Sequence, residues 1–103
     1  VKIDWALSTK QVFNLIRGSD PSPGANSTYE DNKVSFFGAN ISGANSIAEP
    51  GSVTDITDSQ ISVATVDGSI SVQRLRIGKG AKISAHEYAT ETNMNVGDRF
   101  SAS

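Results

Sequence analysis

Residues 60–77, QISVATVDGSISVQRLRI, hold two runs in which apolar and small polar residues alternate, separated by a short turn sequence. Alternation with a period of two is typical of a strand buried on one face. Asp67-Gly68 between the runs is a strong signal for a tight hairpin turn. We therefore predict strands at 60–65 and 69–77 that pair around this turn.

The second run changes phase part of the way along. Ile70 and Val72 share one parity, whereas Leu75 and Ile77 share the other. One extra residue in a strand, a β-bulge, would bring both pairs to the same face. We predict such a bulge at residues 73–74.

The N-terminal segment predicts a helix that begins at Ser8. Ser8 and Gln11 have the spacing of a capping box, in which each side chain bonds the other residue's backbone N–H. Gly18, followed by Pro21, marks the predicted end. Apolar residues at helical spacing lie between these signals: Val12, Phe13, Leu15 and Ile16.

A β-hairpin is predicted next, with strands at 27–30 and 33–37 joined by a turn at Asp31-Asn32. Residues 38–50 are rich in Gly, Asn, Ser and Ala. We expect them to form a mobile loop anchored by Ile41 and Ile47 before a further strand at 51–56.

The C-terminal part predicts a flexible turn at Gly78-Lys79-Gly80 and then a short helix. Ser84 and Glu87 have capping-box spacing, so the helix is expected to open there and run to about Thr92. Gly97-Asp98 is a further turn signal, and residues 99–100 are predicted to add a last strand.

Together these elements predict an α+β domain that is mostly β. We expect a small, open, antiparallel β-barrel, similar to an OB-fold, with an N-terminal helix and a short C-terminal helix. The predicted core consists of the apolar residues that face inward in this scheme: Trp5, Val12, Ile16, Phe36, Val63, Val72 and Leu75.

Length and composition restrict the function classes. A chain of 103 residues fits one domain and begins with Val1 rather than Met, so we expect it to be a piece of a longer protein. The net charge of −2 does not favour a general polyanion binder. The sequence has no cysteine and no apolar run of ~20 residues, so we expect a cytoplasmic chain that does not cross a membrane.

Catalytic signals are weak. His86 is the single histidine and lies in the second predicted helix. One histidine beside Glu87 provides neither the three or four ligands of a zinc site nor a convincing general base. We therefore expect no catalytic residue and no metal site, and we do not expect this chain to be an enzyme by itself.

One cluster of basic residues stands out. Arg74, Arg76, Lys79 and Lys82 fall within nine positions, and the two arginines share a parity, so both should project from one face of a strand. These residues, the basic cluster below, fit either an ordinary solvated face or a face that contacts phosphates. No aromatic residue adjacent in sequence offers a stacking surface, so base reading is not expected.

Several short segments follow one another in a fixed order and together span almost the whole chain. They are Ile3-Asp4-Trp5, Ile16-Arg17-Gly18, residues 20–25 (DPSPGA), Pro50-Gly51, residues 63–68 (VATVDG), Ile83-Ser84-Ala85 with Glu87-Tyr88, and residues 97–100 (GDRF). Taken together in this order, the segments resemble the C-terminal domain of folate-dependent formyltransferases of the methionyl-tRNA formyltransferase family.

The resemblance implies an open β-barrel with helices packed on it. It also implies that catalysis and 10-formyltetrahydrofolate belong to a Rossmann-like N-terminal domain, so no cofactor is expected in residues 1–103. We expect a monomer. The resemblance makes the following motif residues structural: Asp4, Trp5, Arg17, Pro21, Pro23, Gly24, Asp67, Gly68, Ser84 and Arg99.

The formyl acceptor stays open at this point. The family often has an aromatic residue where this chain has Ser22, and its tRNA-formylating members often have adjacent lysines where this chain has Gly80-Ala81. The domain could help to position methionyl-tRNA or another amine acceptor. Alternatively, it could be a structural module that docks on the catalytic domain and contacts no RNA.

Overall fold

The computed structural model of the chain describes residues 2–20, 24–41 and 49–100. Two helices and six strands lie within these ranges. In chain order they are α1 (Thr9–Ser19), β1 (Ala25–Tyr29), β2 (Asn32–Ile41), β3 (Val53–Ile56), β4 (Ile61–Ala64), β5 (Ser69–Ile77), β6 (Ile83–Ser84) and α2 (Ala85–Thr92).

The strands form one open sheet with the order β1-β2-β5-β4-β3, and β6 pairs with the outer part of β5. All five strand pairings are antiparallel. The mostly-β class, the open antiparallel sheet and the helix at each end are confirmed. Neither helix of the described ranges has the length and apolar character needed to cross a membrane.

Helix α1 begins as predicted. The Ser8 hydroxyl accepts a hydrogen bond from the Gln11 N–H at 3.2 Å, and the Gln11 side chain accepts one from the Ser8 N–H at 3.1 Å. The predicted end at Gly18 is wrong, because Gly18 still lies in the last turn. The helix ends where Asp20 adopts an extended conformation and its N–H donates to the Arg17 carbonyl.

The β1–β2 hairpin is confirmed, but its turn lies one residue earlier than predicted. Tyr29 pairs with Asn32, so Glu30 and Asp31 form the two-residue turn. Both have positive φ, 51° and 67°, as a tight hairpin turn of this length requires. Asn32 instead donates from its side chain to the Glu30 carbonyl at 3.3 Å.

Strand β2 is longer than predicted. Residues 38–41 belong to the strand and not to a loop, because pairing with β5 continues to Ile41 opposite Ile70. Ile41 is 49% exposed, so it is not the predicted anchor. Ile47 and the rest of the predicted loop lie outside the described residues.

The predicted bulge in β5 is wrong. One register joins β2 and β5 from Val34 opposite Ile77 to Ile41 opposite Ile70, without an extra residue. Instead, the alternation of core-facing residues shifts by one position in both strands at the same point. At this point Gly38, with a φ of +68°, lies against Gln73. A register shift occurs elsewhere, between β3 and β4 at residues 53–55.

The C-terminal part differs in three details. The predicted last strand is reduced to a single bridge between Arg99 and Ser52. Strand β6 was not predicted. Ser84 caps α2 by accepting from the Glu87 N–H at 3.1 Å, and the helix ends at Thr92 as expected. Among the described contacts, the Glu87 side chain does not accept a hydrogen bond from the Ser84 N–H. Ser84 is therefore a simple N-cap, and the predicted capping box is only half formed.

The core lies between the sheet and the two helices, with Trp5 packed among aromatic rings. Its ring centroid is 5.7 Å from that of Phe36, edge to face, and 6.1 Å from that of Phe100. The Trp5 indole N–H donates to the Ser27 hydroxyl at 3.0 Å, which satisfies its polar atom inside the core. All seven predicted core residues are at most 1% exposed.

Candidate functional site

The basic cluster begins on β5, where Leu75 points into the core. Because side chains alternate along a strand, Arg74 and Arg76 on either side of Leu75 project from the opposite face of the sheet. Arg74 lies opposite Phe37 on one neighbouring strand and opposite Ser84 on the other. The predicted shared face of the two arginines is therefore present.

Phe37 lies beneath two of the four cations. Its side chain points away from the core, since Phe36 points into it, yet it is only 2% exposed. The Lys82 Nζ is 4.0 Å from the Phe37 ring centroid, and the Arg76 Cζ is 5.6 Å from it. Both distances fit cation–π contacts, so the Phe37 ring holds the charged groups of Lys82 and Arg76 beside Arg74.

Gly24 makes this arrangement possible. It has a φ of +83°, and a Cβ at this position would lie 2.7 Å from two Phe37 ring atoms. The chain can thus pass directly over the ring only because Gly24 has no side chain. Nearby, the Asp20 carboxylate accepts a hydrogen bond from the Gly38 N–H at 3.0 Å. Gly24, a family-motif residue, therefore allows Phe37 to take the position in which it contacts Lys82 and Arg76.

Lys79 does not belong to the group around Phe37 and is exposed in the turn that follows β5. The turn is held by the Gly78 N–H, which donates to the Lys33 carbonyl at 2.8 Å, and by the Gly80 N–H, which donates to the Ile77 carbonyl at 3.0 Å. The structure thus brings Arg74, Arg76 and Lys82 together and places Lys79 at the end of the same strand.

The charges of this face are available to an external anion. Within the described ranges, Arg74, Lys79 and Lys82 form no ion pair, and all three are exposed. Arg76 is partly buried. Exposed guanidinium and ammonium groups without a carboxylate partner can bind phosphate oxygens at small desolvation cost.

Sequence reasoning did not find Phe37 as the partner of the cluster. The signal was present: adjacent residues of a strand face opposite sides, so Phe36 in the core requires Phe37 on the other face. The missing information was the register between β2 and β5, which depends on contacts distant in sequence. With its ring covered, Phe37 offers no free surface on which a base could stack.

Asp67, a residue of the family segment 63–68, contacts Thr9 at the start of α1. The Asp67 carboxylate accepts hydrogen bonds from the Thr9 N–H and hydroxyl. Both bonds stabilise the charged carboxylate, so the backbone bond and then the hydroxyl bond of Thr9 lower the pKa of Asp67 below its usual value. Gly68 accepts from the Thr65 N–H at 2.8 Å in the same turn. These motif residues lie in turns and caps, away from the basic cluster.

The other motif residues also make structural contacts. The Asp4 carboxylate accepts from the Ala6 N–H at 3.0 Å. The Arg17 guanidinium lies 5.9 Å from the Phe13 ring centroid. Arg99 pairs with Glu49 at 3.0 Å. Pro21 and Pro23 lie outside the described residues.

His86 shows no catalytic arrangement. Its Nδ1 is 3.7 Å from an Asp58 carboxylate oxygen, and both side chains are largely exposed. A general base needs a pocket that orients its substrate, and this pair lies at the surface. Within the described ranges, no three His, Asp or Glu side chains are grouped as metal ligands would be.

Comparison with known proteins gives one consistent result. A family model described as "Formyl transferase, C-terminal domain" matches residues 1–93. Methionyl-tRNA formyltransferase from Clostridium acetobutylicum is 31% identical over 96 residues, which cover 93% of this chain and 31% of that protein. The enzyme of that name from Staphylococcus aureus is 32% identical over 101 residues, covering 96% of this chain and 32% of that protein.

A solved structure has the same fold. The crystal structure of HypX from Aquifex aeolicus in complex with tetrahydrofolic acid aligns with a TM-score of 0.81 and 26% identity. The alignment covers 94% of this chain and 18% of HypX. Compared with the two methionyl-tRNA formyltransferases described above, the chain spans about a third of their length.

Proposed function

This chain belongs to the formyl transferase C-terminal domain family, and from that premise we propose that residues 1–103 form the non-catalytic C-terminal domain of a folate-dependent formyltransferase. In this proposal, the basic cluster helps to position the formyl acceptor. The chain spans only about a third of its curated relatives, which leaves ample length for a separate catalytic domain in the full-length protein.

Formyl transfer itself is assigned to that other part of the protein. A Rossmann-like N-terminal domain would bind 10-formyltetrahydrofolate and supply the catalytic residues. His86 and its surroundings offer no alternative, since an acid, a base and a bound substrate must converge for such chemistry. The isolated chain should accordingly show no formyl transfer.

The observation that supports the positioning role most directly is the contact of two cationic side chains with the Phe37 ring. Lys82 and Arg76 contact the buried Phe37 ring beside Arg74, so charged groups are held on one face of the sheet. A fixed set of cations suits a polyanion whose phosphates have a regular spacing. Phosphate contacts set the orientation of a nucleic acid without reading its sequence.

The proposed acceptor is methionyl-tRNA. Its support is the name of the curated relatives together with the phosphate-binding chemistry of the basic cluster. The net charge of −2 favours the second candidate, a structural module that docks on the catalytic domain without RNA contact. The two candidates differ in whether removal of the cluster's charges weakens acceptor binding.

The test uses the full-length protein and a triple variant, Arg74→Gln, Lys79→Gln and Lys82→Gln, with Arg76 kept because it is partly buried. The positioning role predicts that KM for methionyl-tRNA rises at least about tenfold, if each lost contact contributes roughly 0.5–1 kcal/mol. The KM for the folate should not change.

A control removes exposed lysines that lie outside β5 and the turn after it, Lys2→Gln and Lys10→Gln. The positioning role predicts an unchanged KM for methionyl-tRNA in this control. An equal rise in both variants, or no rise in either, would favour the structural module.

A further inference from the structure

A groove of about 380 Å³ opens between the β1–β2 hairpin and α2. The hairpin contributes Tyr29, Glu30 and Asn32, and the helix contributes Tyr88 and Glu91. Ile77 of β5 also lines it. Since Ile77 and the neighbouring Arg76 project from opposite faces of the sheet, this groove and the basic cluster lie on opposite sides of the domain.

The groove is acidic. Glu30 and Glu91 are the charged residues that line it, and in the described part of the chain no lysine or arginine does. A third carboxylate lies close by, because the Tyr29 hydroxyl donates to Asp98 at 2.8 Å. This bond uses the Tyr29 proton and leaves its oxygen able to accept.

Tyr88 presents an unused polar atom to the same space. The residue is 1% exposed and lines the groove, yet within the described residues its hydroxyl makes no hydrogen bond. Burial, reinforced by the nearby Tyr29 and Glu30, raises the pKa of Tyr88, so the side chain stays a neutral phenol. Its oxygen is not among the fully buried, unpartnered polar atoms of the described residues, so it opens on the groove. A ligand there could supply the hydrogen-bond partner that a polar atom of a buried residue normally has.

We propose that this groove binds an organic cation, an alkylammonium or guanidinium group. Glu30 and Glu91 balance its charge, the Tyr88 oxygen accepts one of its N–H bonds, and the apolar parts of Tyr29, Tyr88 and Ile77 cover its carbon atoms. A divalent metal ion fits poorly, because Ca²⁺ and Mg²⁺ require about six or more oxygen ligands in place of this partly apolar lining.

The binding test follows the tyrosine-ring NMR signals of the full-length protein while butylammonium or ethylguanidinium chloride is added. The Tyr88 signal, assigned by its absence in Tyr88→Phe, should shift saturably with either cation. It should not shift with butanol, a neutral molecule of similar size. A tripeptide with a central lysine distinguishes a partner's side chain from a free amine: tighter binding of the tripeptide indicates the former, and equal or weaker binding the latter.

Variants test which groups bind the cation. Glu30→Gln and Glu91→Gln should each weaken binding about 1.5- to fivefold, the range for exposed ion pairs. Glu87→Gln removes the same charge from α2 outside the groove and should have no effect. Tyr88→Phe should weaken cation binding while it preserves the melting temperature, because its hydroxyl makes no bond within the described residues. The proposal is overturned if butanol shifts the signal equally, or if the glutamine variants in the groove bind as the Glu87 variant does.

Discussion

The Asp67 carboxylate accepts hydrogen bonds from both donors of Thr9, the backbone N–H at 2.7 Å and the hydroxyl at 2.8 Å. Thr9 is the first residue of α1, and Asp67 lies in the turn between β4 and β5. A carboxylate at a helix N-terminus satisfies a free N–H and interacts favourably with the helix dipole. Asp67 therefore joins the N-terminal helix to the central hairpin.

This link predicts a pH dependence. The two bonds from Thr9 lower the pKa of folded Asp67 below the ordinary value of 3.8. A depressed folded pKa adds stability that is present above the unfolded pKa and lost as the pH falls through the folded pKa. Asp67→Asn should therefore lower the melting temperature at pH 7, and the gap to the wild type should narrow steadily below about pH 4.

Thermal unfolding between pH 2 and pH 7 measures this effect. Asp55→Asn is the control, since it removes an exposed carboxylate from β3. A gap between Asp67→Asn and the wild type that stays constant down to pH 2 would show that the carboxylate charge is not involved.

The helix caps give a second prediction. Ser8→Ala and Ser84→Ala should each cost about 1 kcal/mol of unfolding free energy, which corresponds to roughly 4–8 °C for a domain of this size. Ser8 should cost more, because its hydroxyl accepts from the Gln11 N–H and also donates to the Gln11 side chain at 3.1 Å, whereas the Ser84 hydroxyl only accepts from the Glu87 N–H.

Urea unfolding of both variants checks the caps, and Ser19→Ala at the other end of α1 serves as the reference. If Ser84→Ala proves the more damaging, the second bond of the Ser8 hydroxyl, to the Gln11 side chain, adds no stability.

Two glycines should respond in opposite directions to the same substitution. Gly24→Ala places a Cβ 2.7 Å from the Phe37 ring at a φ of +83°, so the protein should lose stability. At Gly18 no atom lies within 4 Å of an added Cβ, and alanine favours a helix over glycine by about 0.5–1 kcal/mol. Gly18→Ala should therefore stabilise the domain.

The melting temperatures of the two alanine variants test this contrast directly. Gly24→Ala should also weaken acceptor binding, because a displaced Phe37 no longer seats Lys82 and Arg76. Full stability in Gly24→Ala would mean that the chain does not pass as close to Phe37 as the structure shows.

Local signals in the sequence predicted most of the elements. Capping residues located both helix starts, and the Asp67-Gly68 turn located β4 and β5, because these features depend on neighbours in the chain. The end of β2 and the change of face at Gly38 were missed, since both depend on pairing with β5. A glycine with positive φ inside a paired strand gives no signal in the sequence.

In the candidate site too, one feature could be predicted from the sequence and another depends on tertiary contacts. The shared face of Arg74 and Arg76 follows from the period of a strand, so it could be predicted. The contact of Lys82 with Phe37 depends on β6, a two-residue strand that returns the chain to β5. Such a short strand has no periodicity to detect, and its partner is set by the tertiary fold.

The salt dependence of methionyl-tRNA binding tests the central claim, that the basic cluster contacts the acceptor's phosphates. For the full-length protein, log affinity should fall linearly with log salt concentration, because each phosphate contact releases counterions. The variant without Arg74, Lys79 and Lys82 should have a slope shallower by about 2 to 3, at roughly 0.7–0.9 for each lost contact. The same slope in both proteins would contradict the account and leave a structural module that does not contact RNA.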